Sequence, residues 1–316
     1  MDPSLQVIRE AQRILQRYLP VTTLAAAPSL SRSGATAHLK LEYELPTGSF
    51  KPRGALYALA VNLARRTVRE VVASSTGNHG AAVAFAAREM GLPATIFLPT
   101  NPNPVKRARI AALGAHIVES GHDIADAFQA ASAHASREGV YFLNDATDPD
   151  LPAGPATIAC EILDQLPNAA AIYVPMGDTA LIRGIAAAAR QLSPKLRIVG
   201  VQAETAPSYY LSWKKGEAVS TPTCNTIADG LATRTPDQQN VAAIRALVDD
   251  VRLVTDQQML DAIRHLSQHE QVVAEPAGAA ATAAWLQQPA RDVGQVVLLV
   301  SGGNVSPEVL KLALGS

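Results

Sequence analysis

A lysine lies where an extended segment changes into a helical one. Residues 49–54 read Ser-Phe-Lys-Pro-Arg-Gly, after an extended stretch at His38–Tyr43 and before a helical pattern at Ala55–Leu63. The amine of Lys51 can form an imine with a carbonyl cofactor, and a nearby cation such as Arg53 would lower its pKa towards the nucleophilic form. Taken alone, these six residues favour a solvated lysine at a helix start, so a catalytic role needs support from the rest of the chain.

A second segment combines glycine with small polar side chains at the start of a helix. Residues 74–80 read Ser-Ser-Thr-Gly-Asn-His-Gly, and the strand before them ends at Ala73. Backbone N–H groups at a helix N-terminus bind anions, and glycines allow a ligand to approach closely. Capping of the helix would need fewer polar residues than this. The loop therefore predicts a site for a carboxylate or a phosphate.

Two further loops follow apolar strands. Residues 175–180, Pro-Met-Gly-Asp-Thr-Ala, lead into a helix at Leu181–Leu192 and could bind a phosphate through their backbone, although Asp178 would need an explanation there. Residues 301–304, Ser-Gly-Gly-Asn, end the last strand at the edge where ligands of open parallel sheets collect. The hydroxyl of Ser301 could hydrogen-bond a ring nitrogen. Each loop alone is equally consistent with an ordinary cap or turn.

The elements that position these loops alternate between short β-branched runs and longer Ala-rich helical stretches. From Glu70 onward this alternation indicates βαβ units, and the predicted fold class is α/β, with two domains and open, mostly parallel twisted sheets flanked by helices. The predicted strands are Glu70–Ala73, Ala94–Leu98, His116–Val118, Val140–Leu143, Ala171–Pro175, Leu196–Gln202 and Val293–Val300. The predicted helices include Gly80–Met90, Val105–Leu113, Ile124–Arg137 and Ala180–Leu192.

Proline-rich connections interrupt this alternation at residues 101–104 and 148–155. The second of them suggests a domain boundary near Asp148. The segment Thr205–Gln239 has weak periodicity and contains Pro207, Pro222 and Pro236, so we expect an irregular surface excursion there.

The overall composition excludes several classes of protein. In the 316-residue chain, 27 Lys and Arg balance 28 Asp and Glu, so no net field favours nucleic acid or an anionic membrane. No stretch approaches the roughly 20 apolar residues of a membrane span, and the N-terminus does not resemble a signal peptide. Cys160 and Cys224 form no CxxC pair, which predicts a reducing cytoplasmic location. Walker, GxGxxG and GxSxG loops are also absent from the sequence.

In combination, the four loops resemble those of fold-type II enzymes that use pyridoxal 5'-phosphate (PLP). Their order along the chain is far more specific than any one of them. The sequence is most similar to the threonine/serine dehydratase (ammonia-lyase) and serine racemase branch. The motifs that carry the likeness are residues 46–55 (Pro-Thr-Gly-Ser-Phe-Lys-Pro-Arg-Gly-Ala), 75–80 (Ser-Thr-Gly-Asn-His-Gly), 226–230 (Thr-Ile-Ala-Asp-Gly), 275–278 (Glu-Pro-Ala-Gly) and 301–304.

This resemblance implies a tryptophan synthase β-like architecture, with residues 1–43 and 148–316 in a large PLP-binding domain and residues 44–147 in a small mobile domain. It also implies that Lys51 holds PLP as a Schiff base, that Ser301 faces the pyridine nitrogen and that Asn78 bonds the ring hydroxyl. The residues assigned to the cofactor are Phe50, Lys51, Asn78, Gly177, Asp178, Thr179, Ala180, Leu181, Gly230, Glu275, Ser301 and Gly302. The residues assigned to the substrate carboxylate are Ser75, Thr76, Gly77, Asn78 and His79.

The chain departs from this branch at three places. The phosphate loop is usually a run of glycines, whereas here only Gly177 remains, although main-chain donors survive such changes. Thr76 stands where serine racemase has a second serine as its acid/base on the opposite face, and where many dehydratases have alanine. The metal site of the branch corresponds to Glu204, Ser208 and Tyr210, and because Tyr210 replaces a carboxylate we expect no bound metal.

The activity implied by the resemblance is β-elimination from a hydroxy-amino acid such as threonine, serine or 3-hydroxyaspartate, giving a 2-oxo acid and ammonia. A neutral hydroxyl at the pyridine nitrogen makes the ring a weaker electron sink, which favours prompt loss of a β substituent. Lys51 would remove the Cα proton, and Thr76 or the cofactor phosphate could protonate the departing hydroxyl. Alternatives remain: an amino-acid racemase, a β-replacement enzyme of the cysteine synthase type, or a silent PLP-binding or amino-acid-sensing protein.

The expected partners are a small amino-acid substrate and, as is usual in the resembled family, a second copy of the chain in a homodimer. Neither nucleic acid nor a membrane is expected. Because the chain ends 12 residues after Asn304, we expect no control by isoleucine through a C-terminal regulatory domain.

Overall fold

A computed structural model of the chain describes residues 2–287 and 294–315. Strands and helices alternate along the described residues. The strands are β1 (Leu24–Ala26), β2 (Ala35–Leu41), β3 (Glu70–Ser74), β4 (Ala94–Leu98), β5 (His116–Glu119), β6 (Val140–Phe142), β7 (Ala169–Pro175), β8 (Arg197–Ala203), β9 (Asp250–Val254) and β10 (Gly294–Val300). The α-helices are α1 (Leu5–Leu15), α2 (Lys51–Arg65), α3 (Asn78–Glu89), α4 (Pro104–Ala112), α5 (Ile124–His134), α6 (Ala153–Gln165), α7 (Ala180–Leu192), α8 (Ser208–Lys215), α9 (Gln238–Leu247), α10 (Asp256–His265), α11 (Pro276–Leu286) and α12 (Pro307–Leu314).

The strands form two sheets. One has six strands in the order β1-β2-β10-β7-β8-β9, and the other has four in the order β5-β4-β3-β6. The β1–β2 pair is antiparallel, and the other pairs of named strands are parallel. The predicted α/β class with mostly parallel sheets is therefore confirmed. The four-stranded sheet falls within residues 44–147, but the limits and the mobility of the two domains remain predictions.

The carboxyl ends of three strands carry the loops that could do chemistry. In a parallel sheet these ends lie at one edge, where ligands bind. Strand β3 ends at the 74–80 loop, β7 at the 175–180 loop and β10 at the 301–304 turn. The fold thus places each motif where a small molecule can be bound.

Helices α2 and α6 approach each other at backbone distance, and α2 is the helix that begins with Lys51. A Cβ atom added at Gly154 in α6 would lie 2.2 Å from the carbonyl oxygen of Arg53 in α2. No side chain fits such a gap, so glycine allows the close packing that fixes the start of α2.

Gly154→Ala is expected to lower the free energy of unfolding by about 1–3 kcal/mol, because the added methyl group would force α2 and α6 apart. Urea-induced unfolding measures the change. Gly77→Ala is the matched control, since an added Cβ there meets nothing within 4 Å. Equal effects of the two substitutions would show that the helix contact is not tight.

The structure corrects several strand assignments. Strands β1 and β9 were not predicted, and the extended stretch expected at His38–Tyr43 is β2, which ends at Leu41 before a 3-10 turn at Glu42–Glu44. The missed β9 is an edge strand. Its partly exposed face carries Arg252 and Asp250 in a 2.6 Å ion pair, so the strand lacks the continuous apolar run of a buried strand. Val293, the first residue of the last predicted strand, lies outside the described residues.

The segment Thr205–Gln239, expected to be an irregular surface excursion, is irregular only in part. Residues 216–228 form no helix or strand, but α8 and a 3-10 turn at Asp229–Leu231 lie in this segment, and Tyr209 in α8 is buried. Its first proline, Pro207, immediately precedes α8 and does not break the chain into a loop. Helix α2 begins at Lys51 and not at residue 55, because proline is well tolerated in the first helical turn. None of the described helices has both the length and the apolar character needed to cross a membrane.

Candidate active site

The lysine turn and the terminal glycine turn form one backbone unit. The N–H of Phe50 donates to the carbonyl oxygen of Ser301 at 3.0 Å, and the N–H of Gly303 donates to the carbonyl oxygen of Gly48 at 3.0 Å. These bonds hold the start of α2 against the end of β10. Lys51 and the buried Ser301 therefore belong to the same site, although they are 250 positions apart in the sequence.

The amine of Lys51 forms an ion pair with a carboxylate that sequence reasoning missed. Nζ of Lys51 contacts Oδ2 of Asp145, which lies in the connection between β6 and α6. The other oxygen, Oδ1, is buried, lies 3.5 Å from Nδ1 of His79 and has no hydrogen-bond partner among the described residues. Burial opposes its charged form, but Lys51 and His79 outweigh burial and hold the pKa of Asp145 below its ordinary value.

The prediction that Arg53 would activate Lys51 was wrong. The guanidinium of Arg53 is buried and bound by two other carboxylates: its Nε lies 2.7 Å from Glu42 and its Nη1 lies 2.6 Å from Glu161. Lys40 makes a further ion pair with Glu161 at 2.7 Å. This network joins β2, α2 and α6, so Arg53 fixes the position of the Lys51 helix and its charge is already neutralised.

Asn78 connects three of the predicted motifs. Its Nδ2 donates to Oε1 of Glu275 at 2.7 Å, and its Oδ1 accepts a hydrogen bond from Nδ2 of Asn304 at 2.6 Å. Asn304 also donates to the carbonyl oxygen of Thr47, beside the lysine turn, at 3.0 Å. The motifs that are distant in sequence therefore converge around one amide side chain.

The pKa of Glu275 is raised above its ordinary value. Burial raises its pKa to about 7, although the hydrogen bond from Asn78 acts in the opposite direction. Its Oε1 lies close to the backbone of Gly302, where an added Cβ would come within 2.2 Å of that oxygen. A carboxyl group therefore lies against the Ser-Gly-Gly turn, and it titrates near neutral pH.

This titration predicts a pH dependence of stability. Between about 4.5, the ordinary pKa, and about 7, the folded protein keeps a proton that the unfolded chain loses, so stability falls as the pH rises through this window. Glu275→Gln should remove that fall. Urea unfolding midpoints at about pH 5 and about pH 8 measure it, and an unchanged slope in the variant would contradict the assignment.

The 175–180 loop has the donors that a phosphate requires. None of the five backbone N–H groups from Gly177 to Leu181 has a hydrogen-bond partner among the described residues. Five free N–H groups at the start of α7 form an anion cradle. A Cβ at Gly177 would lie 2.1 Å from the carbonyl oxygen of Gly230, which explains why glycine is retained there.

Thr179 takes the place of a family glycine at a left-handed position, with φ of 70°. Such a backbone is strained for a β-branched residue. The Nε of the buried Arg183, one turn further along α7, donates to the Thr179 hydroxyl at 3.1 Å and restrains it. Sequence reasoning missed Arg183, which has no motif of its own.

Asp178 is accommodated in this loop by its surroundings. Burial is the main cause that raises its pKa, and the negative charge of Asp145 raises it further. Its Oδ1 accepts a hydrogen bond from the hydroxyl of Thr233 at 3.1 Å. The surroundings of Asp178 therefore disfavour its charged form and give it a hydrogen-bond donor beside the position of a phosphate.

The remaining assigned residues lie around these groups. The ring of Phe50 is 5.2 Å from Nζ of Lys51, and Nε2 of His79 is 2.9 Å from the carbonyl oxygen of Leu143. Ser75, Thr76 and Gly77 are partly exposed and precede α3, as a substrate-binding loop would require. The individual roles of these residues in cofactor and substrate binding remain predictions.

The positions that correspond to a family metal site do not suit a hard cation. The carbonyl oxygen of Ser208, which corresponds to the family's ligand, accepts a hydrogen bond from the Ser212 hydroxyl at 2.6 Å, and Glu204 is exposed. Tyr210 offers an aromatic ring, and Nζ of Lys214 lies 4.7 Å from its centre. A lysine ammonium beside a tyrosine ring is not a set of oxygen ligands for Mg²⁺. Within the described residues no group of three His, Cys, Asp or Glu could hold a metal ion.

The site fits PLP. Lys51 has an amine that could react with the cofactor aldehyde, and the free N–H groups of residues 177–181 suit its phosphate. Ser301 has a neutral hydroxyl that could hydrogen-bond the nitrogen of the cofactor ring. The glycines at 177 and 302 lie where a side chain would collide with neighbouring atoms. These groups match the aldehyde, phosphate and flat ring of the cofactor.

Known proteins are similar to this chain in sequence and in fold. The chain is 35% identical over 308 residues to L-threonine ammonia-lyase of Thermotoga maritima, covering 97% of this chain and 77% of that protein. It is 33% identical to L-threo-3-hydroxyaspartate ammonia-lyase of Saccharomyces cerevisiae, covering 96% of this chain and 94% of that protein. The structure of maize serine racemase superposes with a TM-score of 0.93 at 30% identity, covering 100% of this chain and 98% of that one.

The family match covers nearly all of the chain, as the convergence of the motifs on Lys51 leads one to expect. Residues 15–302 match the family described as pyridoxal-phosphate dependent enzyme. With a site that fits the cofactor and relatives of this kind, the chain belongs to the family of pyridoxal-phosphate-dependent enzymes, in the threonine/serine dehydratase and serine racemase branch of fold type II.

Proposed function

We propose that this PLP-dependent lyase removes water and ammonia from a hydroxy-amino acid such as threonine, serine or 3-hydroxyaspartate, and releases a 2-oxo acid. The observation that carries the proposal is the pairing of Lys51 with Ser301 through the Phe50 backbone. It joins the lysine that would act as the base to a residue with a neutral hydroxyl at the end of β10. The bound cofactor would supply electron withdrawal from Cα, and a ring that is only a moderate electron sink favours loss of a β substituent.

Residues of the chain would bind the substrate carboxylate and transfer the protons. The partly exposed 74–80 loop would bind the substrate carboxylate through its hydroxyls and backbone N–H groups. The amine of Lys51 would accept the Cα proton, for which it must lie within hydrogen-bond reach of Cα. Thr76 would protonate the departing hydroxyl or, in the alternative of a racemase, return a proton to Cα from the opposite face.

Release of 2-oxo acid and ammonia in equal amounts from L-threonine, L-serine and L-threo-3-hydroxyaspartate tests this function. Chiral analysis of the remaining amino acid in the same reactions detects racemisation. We expect elimination from at least one of the three to exceed racemisation. Racemisation alone would establish the alternative, and silence with all three would contradict both activities.

We further propose that the enzyme works as a cytoplasmic homodimer and has no nucleic-acid partner. The near-neutral charge balance argues against a nucleic-acid partner, and the two unpaired cysteines suit a cytoplasmic location. The homodimer is proposed because it is usual in the family. Sedimentation velocity of the loaded enzyme measures the oligomeric state, and a monomer at working concentration would contradict the dimer.

A further inference from the structure

Asp145 is a carboxylate that the proposed elimination does not require. It lies in the β6–α6 connection and contacts Nζ of Lys51, the atom that would accept the Cα proton. A base that reaches the Cα proton lies next to Cα, and the β substituent is only two bonds further away. Asp145 therefore lies close to the region that a β substituent would occupy.

The charge on Asp145 needs a partner during the reaction. In the structure that partner is Lys51. A lysine amine that accepts a proton from Cα has first given up its ammonium charge. The other charged or titratable groups nearby are Asp178, which is acidic, Arg183, whose Nε is bound to Thr179, and His79. With Lys51 neutral, the group that remains against the Asp145 carboxylate is His79, whose Nδ1 lies 3.5 Å from Oδ1 and makes no hydrogen bond to it.

One oxygen of Asp145 has no hydrogen-bond donor. Nε2 of His79 lies 2.9 Å from the carbonyl oxygen of Leu143, which can only accept, so the proton on Nε2 is used there. The other ring nitrogen, Nδ1, lies 3.5 Å from Oδ1 of Asp145 and makes no hydrogen bond to it. A buried carboxylate oxygen without a partner among the described residues can accept a hydrogen bond from a ligand.

We propose that Asp145 determines specificity at the β position, accepting a hydroxyl or an ammonium group there and rejecting a second carboxylate. This inference rests on the proposed function, and it selects among its candidate substrates. Serine, threonine and 2,3-diaminopropionate carry the required donor, whereas 3-hydroxyaspartate adds a negative charge beside Asp145.

Loss of a β-ammonium group is balanced at this site. The Cα proton passes to the amine of Lys51, its electron pair forms the Cα–Cβ double bond, and the Cβ–N bond breaks to release neutral ammonia. For a β-hydroxyl group the C–O bond breaks instead, and a proton from the site converts hydroxide into water. Neither reaction needs an oxidant or a reductant.

Substrate comparison with the loaded enzyme tests the inference. We expect kcat/KM for L-serine and for L-2,3-diaminopropionate to exceed that for L-threo-3-hydroxyaspartate by about 100-fold, the ratio for like charges roughly 6 Å apart at an effective dielectric constant of about 20. Asp145→Asn removes the charge and keeps the shape. The ratio should fall below about 10 in this variant, mainly through a higher kcat/KM for 3-hydroxyaspartate.

A binding measurement separates specificity from catalysis. Cofactor absorbance reports equilibrium binding of L-alanine and L-aspartate, which lack a β-hydroxyl or β-amino leaving group. Wild type should bind L-alanine more tightly than L-aspartate. In Asp145→Asn the ratio of the two dissociation constants should fall by at least about 10-fold. Asp150→Asn is the matched control, because Asp150 lies in the same connection but pairs with the exposed Arg65.

The possible failures are distinguishable. If wild type eliminates from serine and 3-hydroxyaspartate equally well, and Asp145→Asn leaves both the kinetic and the binding ratios unchanged, the inference is overturned and the proposed function stands. If no substrate is turned over, the proposed function fails, and the ratio of L-alanine to L-aspartate binding still decides the role of Asp145. Equal changes of the kinetic and binding ratios in Asp145→Asn and Asp150→Asn would also overturn the inferred role of Asp145.

Discussion

Replacing Lys51 with alanine should abolish both attachment of the cofactor and turnover. The amine is the only group of that side chain that can react with an aldehyde or accept the Cα proton, and loss of a general base alone reduces rates by roughly 100-fold to 10,000-fold. The loss of covalent attachment should bring the total above 1,000-fold by the same estimate. Absorbance of the attached cofactor and release of 2-oxo acid are the two measurements.

A matched lysine distinguishes this effect from a general loss of charge. Lys195→Ala removes an exposed lysine in the connection between α7 and β8 and should change neither property. Circular dichroism checks that Lys51→Ala remains folded, because Asp145 loses its contacting cation in this variant. Covalent attachment or turnover retained without Lys51 would mean that another lysine carries the cofactor.

Replacing Arg53 with methionine should cause the largest loss of stability. Arg53 is 2% exposed and binds Glu42 and Glu161, so its removal leaves the fully buried Glu42 without its paired cation, while Glu161 keeps only Lys40. Breaking a buried pair in this way costs about 3–5 kcal/mol. Urea unfolding of the protein without cofactor measures the change.

The control substitution lies on the same helix. Arg65 of α2 makes an exposed ion pair with Asp150, so Arg65→Met should cost less than about 1 kcal/mol. Adding Glu42→Gln to Arg53→Met should recover part of the loss, because the unpaired charge is removed. Equal costs for Arg53→Met and Arg65→Met would contradict the role of the buried network.

The same network predicts an acid sensitivity. Burial raises the pKa of Glu161, but Arg53 and Lys40 outweigh it, and the pKa lies below the ordinary value of 4.5. The stabilisation is therefore present above pH 4.5 and is lost as the pH falls through the lower, folded-state pKa. Arg53→Met should weaken this dependence, because the larger of the two groups that lower the pKa of Glu161 is gone and only Lys40 remains.

Residue types made the Lys51 turn and the three glycine-containing loops candidates, and only their order along the chain supported the prediction of one site. Glycine at 177 and 302 is required where a Cβ would collide, and polar residues around 75–79 suit a helix start. The alternation of strands and helices likewise reflects the burial of parallel strands on both faces. These features act over a few residues, so they can be recognised without a structure.

The contacts of the charged groups could not be predicted in this way. Asp145 meets Lys51 across 94 positions, and Arg53, two residues after Lys51, turns to Glu42 and Glu161 instead of to the site. No periodicity or motif encodes which carboxylate a lysine or arginine will contact, because that choice depends on how separate helices and strands pack.

The sequence by itself therefore determined the fold class, through its alternation of strands and helices, and the family, through the order of its motifs. It predicted Lys51 and the loops around it as the cofactor site. Only the tertiary structure decided the electrostatics of the site. The packing brings Asp145 into an ion pair with Lys51. It also places Glu275 within hydrogen-bond distance of Asn78, and Arg183 within hydrogen-bond distance of Thr179. Charges act through space, and so their partners are fixed only when the two sheets and their helices are packed together.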